Sequence, residues 1–216
     1  MQQALPDITR TRSLITDYDV YLFRQGSHSR LYDRLGSHPA VIDGRRGTFF
    51  AVWAPNAVEV SVIGDFNGWK AGENPLSLRN DDSGIWEGFL PDIGQGTLYK
   101  YHIRSRYNNY SVEKGDPFAR FWEIPPKTAS IIWDIAYTWR DRAWMRGREE
   151  ENSPDAPISI YEVHAGSWRK VPEEENRSLS YREAADELAE YLVDAGFTHV
   201  EFLPIMEHPF YASWGY

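Results

Sequence analysis

From Thr48 to Trp69 the chain reads TFFAVWAPNAVEVSVIGDFNGW and alternates between two faces. Phe49, Ala51 and Trp53 fall on one side, with Phe50 and Val52 on the other. Val58, Val60 and Val62 then share a face opposite Glu59 and Ser61. Successive side chains of a strand point to opposite sides, so this period predicts two half-buried strands. Pro55-Asn56 breaks the first run, and Asn67-Gly68 offers residues that tolerate positive φ in a tight turn. Trp69 stands just after that turn, as a core side chain or as an exposed platform for a flat ligand face.

The same texture continues to about Asp134. A polar turn at Asn80 to Gly84 precedes Ile85 to Leu90, and Gly94-Gln95-Gly96 leads into Leu98 to Ile103. In that last run Tyr99, Tyr101 and Ile103 share one face, while Lys100 and His102 take the other. Short strands about ten residues apart, separated by Gly, Asn and Asp, predict an all-β, immunoglobulin-like sandwich over residues 46–134. Trp86 is expected in its core. Residues 1–45 read as an N-terminal extension, in which Asp17 to Leu35 is a short helix or a loop. Residues 135–157 end in a Glu149–Glu151 charge run and two prolines, and read as a linker.

After Pro157 the period changes. Ile158 to Val163 is a short apolar run that fits a buried strand. Ser180-x-x-Glu183 is a capping box, in which each side chain satisfies the other's orphan backbone donor. Ala184, Ala185, Leu188, Leu192 and Ala195 then recur at helical spacing, and Gly196 is placed to end the helix. Val200 to Leu203 is a second apolar run. Strand, helix, strand predicts a βαβ unit with a parallel pair. Parallel sheets are covered on both faces, so this unit reads as the start of something larger.

Composition narrows the function classes. The 216 residues include nine Trp and thirteen Tyr, side chains that join a broad apolar face to a polar handle. A net charge of −9 argues against a surface that tracks nucleic-acid phosphates. The lack of cysteine excludes disulfides and thiol chemistry. No run has signal-peptide or membrane-span character, which predicts a cytoplasmic monomer. His164 and His208 have no ligand spacing, so neither metal nor cofactor is expected.

Several motifs carry a resemblance. FAVWAPNAVEVSVIGDFNGW, GIWEGFLP, GTLYKYHI and KGDPFAR resemble the α-glucan-binding module, family 48, that opens glycogen branching enzymes. YEVHAGSW, the stretch from Leu179 to Phe210, and SWGY at the end resemble the first part of their α-amylase-type barrel. The fold implied is multi-domain: the sandwich, then an incomplete α/β (TIM-type) barrel segment over residues 158–216. The activity implied is cleavage of an α-1,4 linkage and transfer of the released chain to a 6-hydroxyl. Two carboxylates about 5 Å apart do this in a retaining mechanism. The family's carboxylates lie on barrel strands four, five and seven, whereas a whole barrel needs about 250 residues. The resemblance therefore implies no catalytic residue here, and Glu162, Glu201 and Glu207 fall at positions the family does not use. It implies glucan contacts at Trp69 and Lys100, with Tyr107 or Tyr110 as a second aromatic. Tyr216 matches the barrel tyrosine that stacks beside the cleaved bond. The partner implied is α-glucan (glycogen or amylose), either for the front of a branching enzyme or for a free-standing binding module.

Overall fold

The computed structural model describes residues 13–108, 110–206 and Trp214. The chain divides into two compact units, with the boundary between Tyr137 and Thr138.

The first unit opens with a helix, α1 (Asp17–Arg24), followed by β1 (Gly36–Ile42), β2 (Arg45–Trp53), β3 (Ala57–Gly64), β4 (Ser77–Leu78) and β5 (Ile85–Pro91). β6 (Leu98–Ser105), β7 (Ser111–Lys114), β8 (Phe121–Trp122) and β9 (Ser130–Ile131) complete it. One antiparallel sheet has the order β1-β2-β5-β4, and the second runs β3-β6-β9-β8 with β7 also paired to β6. The core between them holds Phe50, Val52, Val60, Val62, Trp86, Leu90, Tyr99 and Tyr101. Trp86 is buried and its indole donates to the Ala54 carbonyl at 3.1 Å, as a core tryptophan needs.

Both faces of β2 are covered. Phe49 and Ala51, opposite Phe50 and Val52, pack with Ile15, Val20, Leu35, Ile42 and Ile85 in a second apolar cluster. α1 supplies Val20 to it. The helix starts because Thr16 and Asp19 form a capping box: the Asp19 N–H donates to Thr16 Oγ1 at 3.1 Å, and the Thr16 N–H donates to Asp19 Oδ2 at 2.8 Å.

Two features depart from the periodic reading. β1 lies inside the stretch read as an N-terminal extension. Its hairpin turn, Asp43-Gly44, has φ of 51° and 78°, the paired positive values that a two-residue turn between twisted strands requires. That Asp-Gly pair was the available signal. Val58 is exposed rather than aligned with Val60 and Val62. The register of β3 against β6 shifts between Ala57 and Glu59, so one extra residue turns Val58 outward and puts Ala57 in the core instead.

The second unit contains α2 (Arg142–Glu151), β10 (Ile160–Val163), α3 (Ala165–Trp168), β11 (Lys170–Val171), β12 (Arg177–Ser178), α4 (Tyr181–Ala195) and β13 (His199–Phe202). α2 occupies the stretch read as linker. It buries nothing, and its Ala, Met, Arg and Glu residues are strong helix formers that the prolines, placed after it, do not interrupt. The strand–helix–strand reading holds. β10 and β13 pair in parallel, Ser180 and Glu183 cap α4 reciprocally, and Gly196 closes it at φ 74°. Ala184 and Leu188 are its buried residues, while Ile160, Val193 and Phe202 are exposed. β11 and β12 form a small antiparallel pair between α3 and α4 that had no periodic signal.

Candidate functional site

Trp69 is held by an elaborate turn. β3 ends at Gly64, where an added Cβ would lie 2.2 Å from the Leu98 carbonyl oxygen, so only glycine permits that approach to β6. A single 3₁₀ turn, Asp65–Asn67, follows. The Asn67 side chain accepts from the Gly64 N–H at 3.0 Å, and donates to the Val62 carbonyl at 3.0 Å and Asn74 Oδ1 at 2.7 Å. Asn67 therefore works through its amide. The left-handed positions are Gly68 and Trp69 itself, each with φ of 62°. The indole Nε1 donates to Asp65 Oδ1 at 2.9 Å, fixing one ring edge. A left-handed backbone costs a residue with a Cβ roughly 1–2 kcal/mol. Such strain persists where the surroundings over-determine it and clusters at binding sites.

Lys100 faces this ring. Tyr99 and Tyr101, its neighbours on β6, point inward and are fully buried, which sends Lys100 outward as the alternation requires. Its ammonium lies 6.0 Å from the Trp69 ring centroid, at cation–π range. β6 is pinned from below by Asp116, a buried carboxyl that pattern reading missed. Asp116 Oδ2 accepts from the Tyr99 hydroxyl at 2.6 Å and the Tyr101 hydroxyl at 3.0 Å, while Oδ1 accepts from the Phe118 N–H at 2.8 Å. Burial pushes the Asp116 carboxyl above the usual range, against the pull of those hydrogen bonds, and raises both tyrosines further. No periodic pattern marks a lone buried acid; the only hint was that two core tyrosines need hydroxyl partners.

The structure thus brings Trp69 and Lys100 together and places Tyr107 elsewhere. Tyr99 pairs with Gly64 and Ser105 with Ala57, so Lys100 and Tyr107 lie toward opposite ends of β6. The five steps from Lys100 to Ser105 alone span about 16 Å. Tyr107 and Tyr110 are both exposed at the β6–β7 turn, where the Tyr110 N–H donates to the Tyr107 carbonyl at 3.1 Å. Tyr216, Glu207 and His208 lie outside the described residues. Glu162 and Glu201 are exposed neighbours across the parallel pair, and His164 Nδ1 sits 2.7 Å from Ser167 Oγ. Among the described residues no group of three or more His, Cys, Asp or Glu could hold a metal, and no helix is long and apolar enough to cross a membrane.

An indole face beside an outward ammonium on an antiparallel sandwich is a surface suited to a flat, neutral, hydroxyl-rich ligand. Residues 34–119, which include both side chains, match the family described as carbohydrate-binding module 48 (isoamylase N-terminal domain). These residues belong to carbohydrate-binding module family 48. The chain is 60% identical over 204 residues to the 1,4-alpha-glucan branching enzyme of Aquifex aeolicus, covering 94% of this chain and 32% of that protein. It is 50% identical over 216 residues to the 1,4-alpha-glucan branching enzyme of Rubrobacter xylanophilus, covering 100% of this chain and 29% of that protein. The chain therefore spans about a third of the length of the curated relatives it matches. The fold is shared with a putative alpha amylase of Salmonella typhimurium, at a TM-score of 0.59 and 23% identity over 84% of this chain and 26% of that one. It is shared too with a pullulanase mutant of Klebsiella pneumoniae, at 0.56 and 21% identity over 81% of this chain and 18% of that one.

Proposed function

We propose that this chain is the N-terminal part of a 1,4-α-glucan branching enzyme, and that its family 48 module holds α-glucan for that reaction. The observation that carries the reading is the Trp69–Lys100 pair, set on the outer face of a module whose chain matches branching enzymes along nearly its whole length. Trp69 supplies a ring face for the apolar side of a glucosyl unit. Lys100 supplies a charged donor for its hydroxyls. Tyr107, at the other end of β6, offers a further stacking surface to a chain long enough to reach it.

In this reading β10, α4 and β13 are the opening unit of an α/β barrel, which explains why their apolar residues stay exposed: a parallel sheet needs cover on both faces. Tyr216 is the stacking tyrosine beside the cleaved bond. The carboxylates that attack the anomeric carbon and protonate the leaving oxygen belong to later strands, so these 216 residues do not catalyse by themselves. The protein works as a cytoplasmic monomer and needs neither metal nor cofactor.

Two measurements test this. The purified chain is incubated with amylose and assayed for α-1,6 linkages, and none are expected; their appearance would place the catalytic groups within these residues. The chain is then run on native gels containing glycogen. Retardation that weakens in Trp69→Ala supports the site, and equal retardation of the variant removes Trp69 from it.

A further inference from the structure

A cavity of about 450 Å³ lies in the first unit between α1 and the loop that follows it. Tyr18, Asp19, His28, Arg30, Asp33 and Arg34 line it. Its base is prebuilt. Asp19 is buried and takes His28 Nε2 at 3.0 Å on one oxygen and Arg34 Nε at 2.9 Å on the other, beside its capping bonds to Thr16. His28 is equally buried, and its Nδ1 meets no protein donor or acceptor. With Nε2 bonded to the carboxylate, Nδ1 is left as an open hydrogen-bonding position on the ring. Arg30 pairs with Asp33 at 2.6 Å on the wall. At the mouth Tyr18 is 67% exposed and lies nearly parallel to Tyr21, their centroids 6.3 Å apart.

Two arginines against two aspartates leave the lining without net charge. A phosphate or sulfate would meet carboxylates, and a cation would meet guanidinium groups. Alternating donors and acceptors under an exposed aromatic face match a neutral polyol, whose hydroxyls donate and accept and whose ring C–H groups stack. We propose that this cavity is a second carbohydrate subsite, separate from Trp69 and Lys100, which takes a glucosyl unit of an α-1,4-glucan. The class of sugar rests on the function proposed above; the neutral polyol character rests on the cavity alone. Two anchor points on one module would raise avidity for a polymer without strengthening either contact.

The test is a titration of the ¹⁵N-labelled 216-residue chain with maltoheptaose, following backbone amides. Saturable shifts are expected at residues 18–34, with a second set near residues 65–70 and 98–102. Trp69→Ala should abolish the second set and keep the first. Tyr18→Ala, at an exposed position, and Asp33→Asn, at a half-buried one, should weaken the first set at least tenfold and leave the second unchanged. If residues 65–70 respond and residues 18–34 do not, the subsite is refuted while the Trp69 site stands. Silence everywhere refutes both. Shifts at residues 28–34 with inorganic phosphate but not with maltoheptaose overturn the neutral-ligand assignment.

Discussion

Replacing Trp69 by glycine and by alanine separates what that residue costs the fold from what it does for binding. Both changes remove the indole, its bond to Asp65 and its contact with Lys100, so those losses cancel when the two variants are compared. What differs is the backbone. At φ of 62° alanine retains the clash of Cβ with the following carbonyl and glycine does not. Glycine should therefore be the more stable variant by about 1 kcal/mol, after the larger entropy of its unfolded chain takes back part of the relief. For a unit of this size that is a midpoint difference of roughly 3–5 °C. Thermal unfolding followed by fluorescence of the remaining tryptophans reads it, with urea titration as a second measure. Both variants should be retarded less than wild type in glycogen gels, and equally so. A stability order with alanine equal to or above glycine would show that the Trp69 backbone is unstrained, and the argument from strain to function would collapse.

Other outcomes follow from the packing and the electrostatics. Phe50→Ala empties a fully buried site between the two sheets and should cost about 3–5 kcal/mol, read as a drop in the urea midpoint. Asp116 has a folded-state pKa raised by burial, so its contribution is greatest below the unfolded value and is lost as pH rises through the folded one. Wild type should therefore lose stability relative to Asp116→Asn as pH rises above about 4; a gap independent of pH would refute that. Ser180→Ala removes the α4 cap and should destabilise the second unit by about 1 kcal/mol in thermal unfolding. Hydrogen bonds from Arg177 and Ser180 hold Glu183 down at about 2, so its support for that helix should persist above about pH 4.5 and vanish as acid titrates it.

Where a local rule was sufficient, the amino-acid sequence settled the outcome. The alternation from Phe49 to Trp53 assigned β2 its two faces, the Tyr99–Lys100–Tyr101 triplet sent the lysine outward, and the Ser180–Glu183 box with Gly196 bounded α4. Each depends on neighbours within a few residues, which periodicity and capping chemistry describe completely. Tertiary structure alone decided the rest. The cover over Phe49 and Ala51 comes from Val20 on α1, about thirty residues earlier in the chain. The bulge that expels Val58 exists only as a register between β3 and β6. The acid beneath Tyr99 and Tyr101 arrives from a loop beyond β7. The Trp69–Lys100 pair itself joins two separate segments, through a left-handed backbone at Trp69 that no pattern of apolar and polar positions encodes. Local propensities fix which way a side chain can point, whereas what it meets is set by the packing of distant segments against one another.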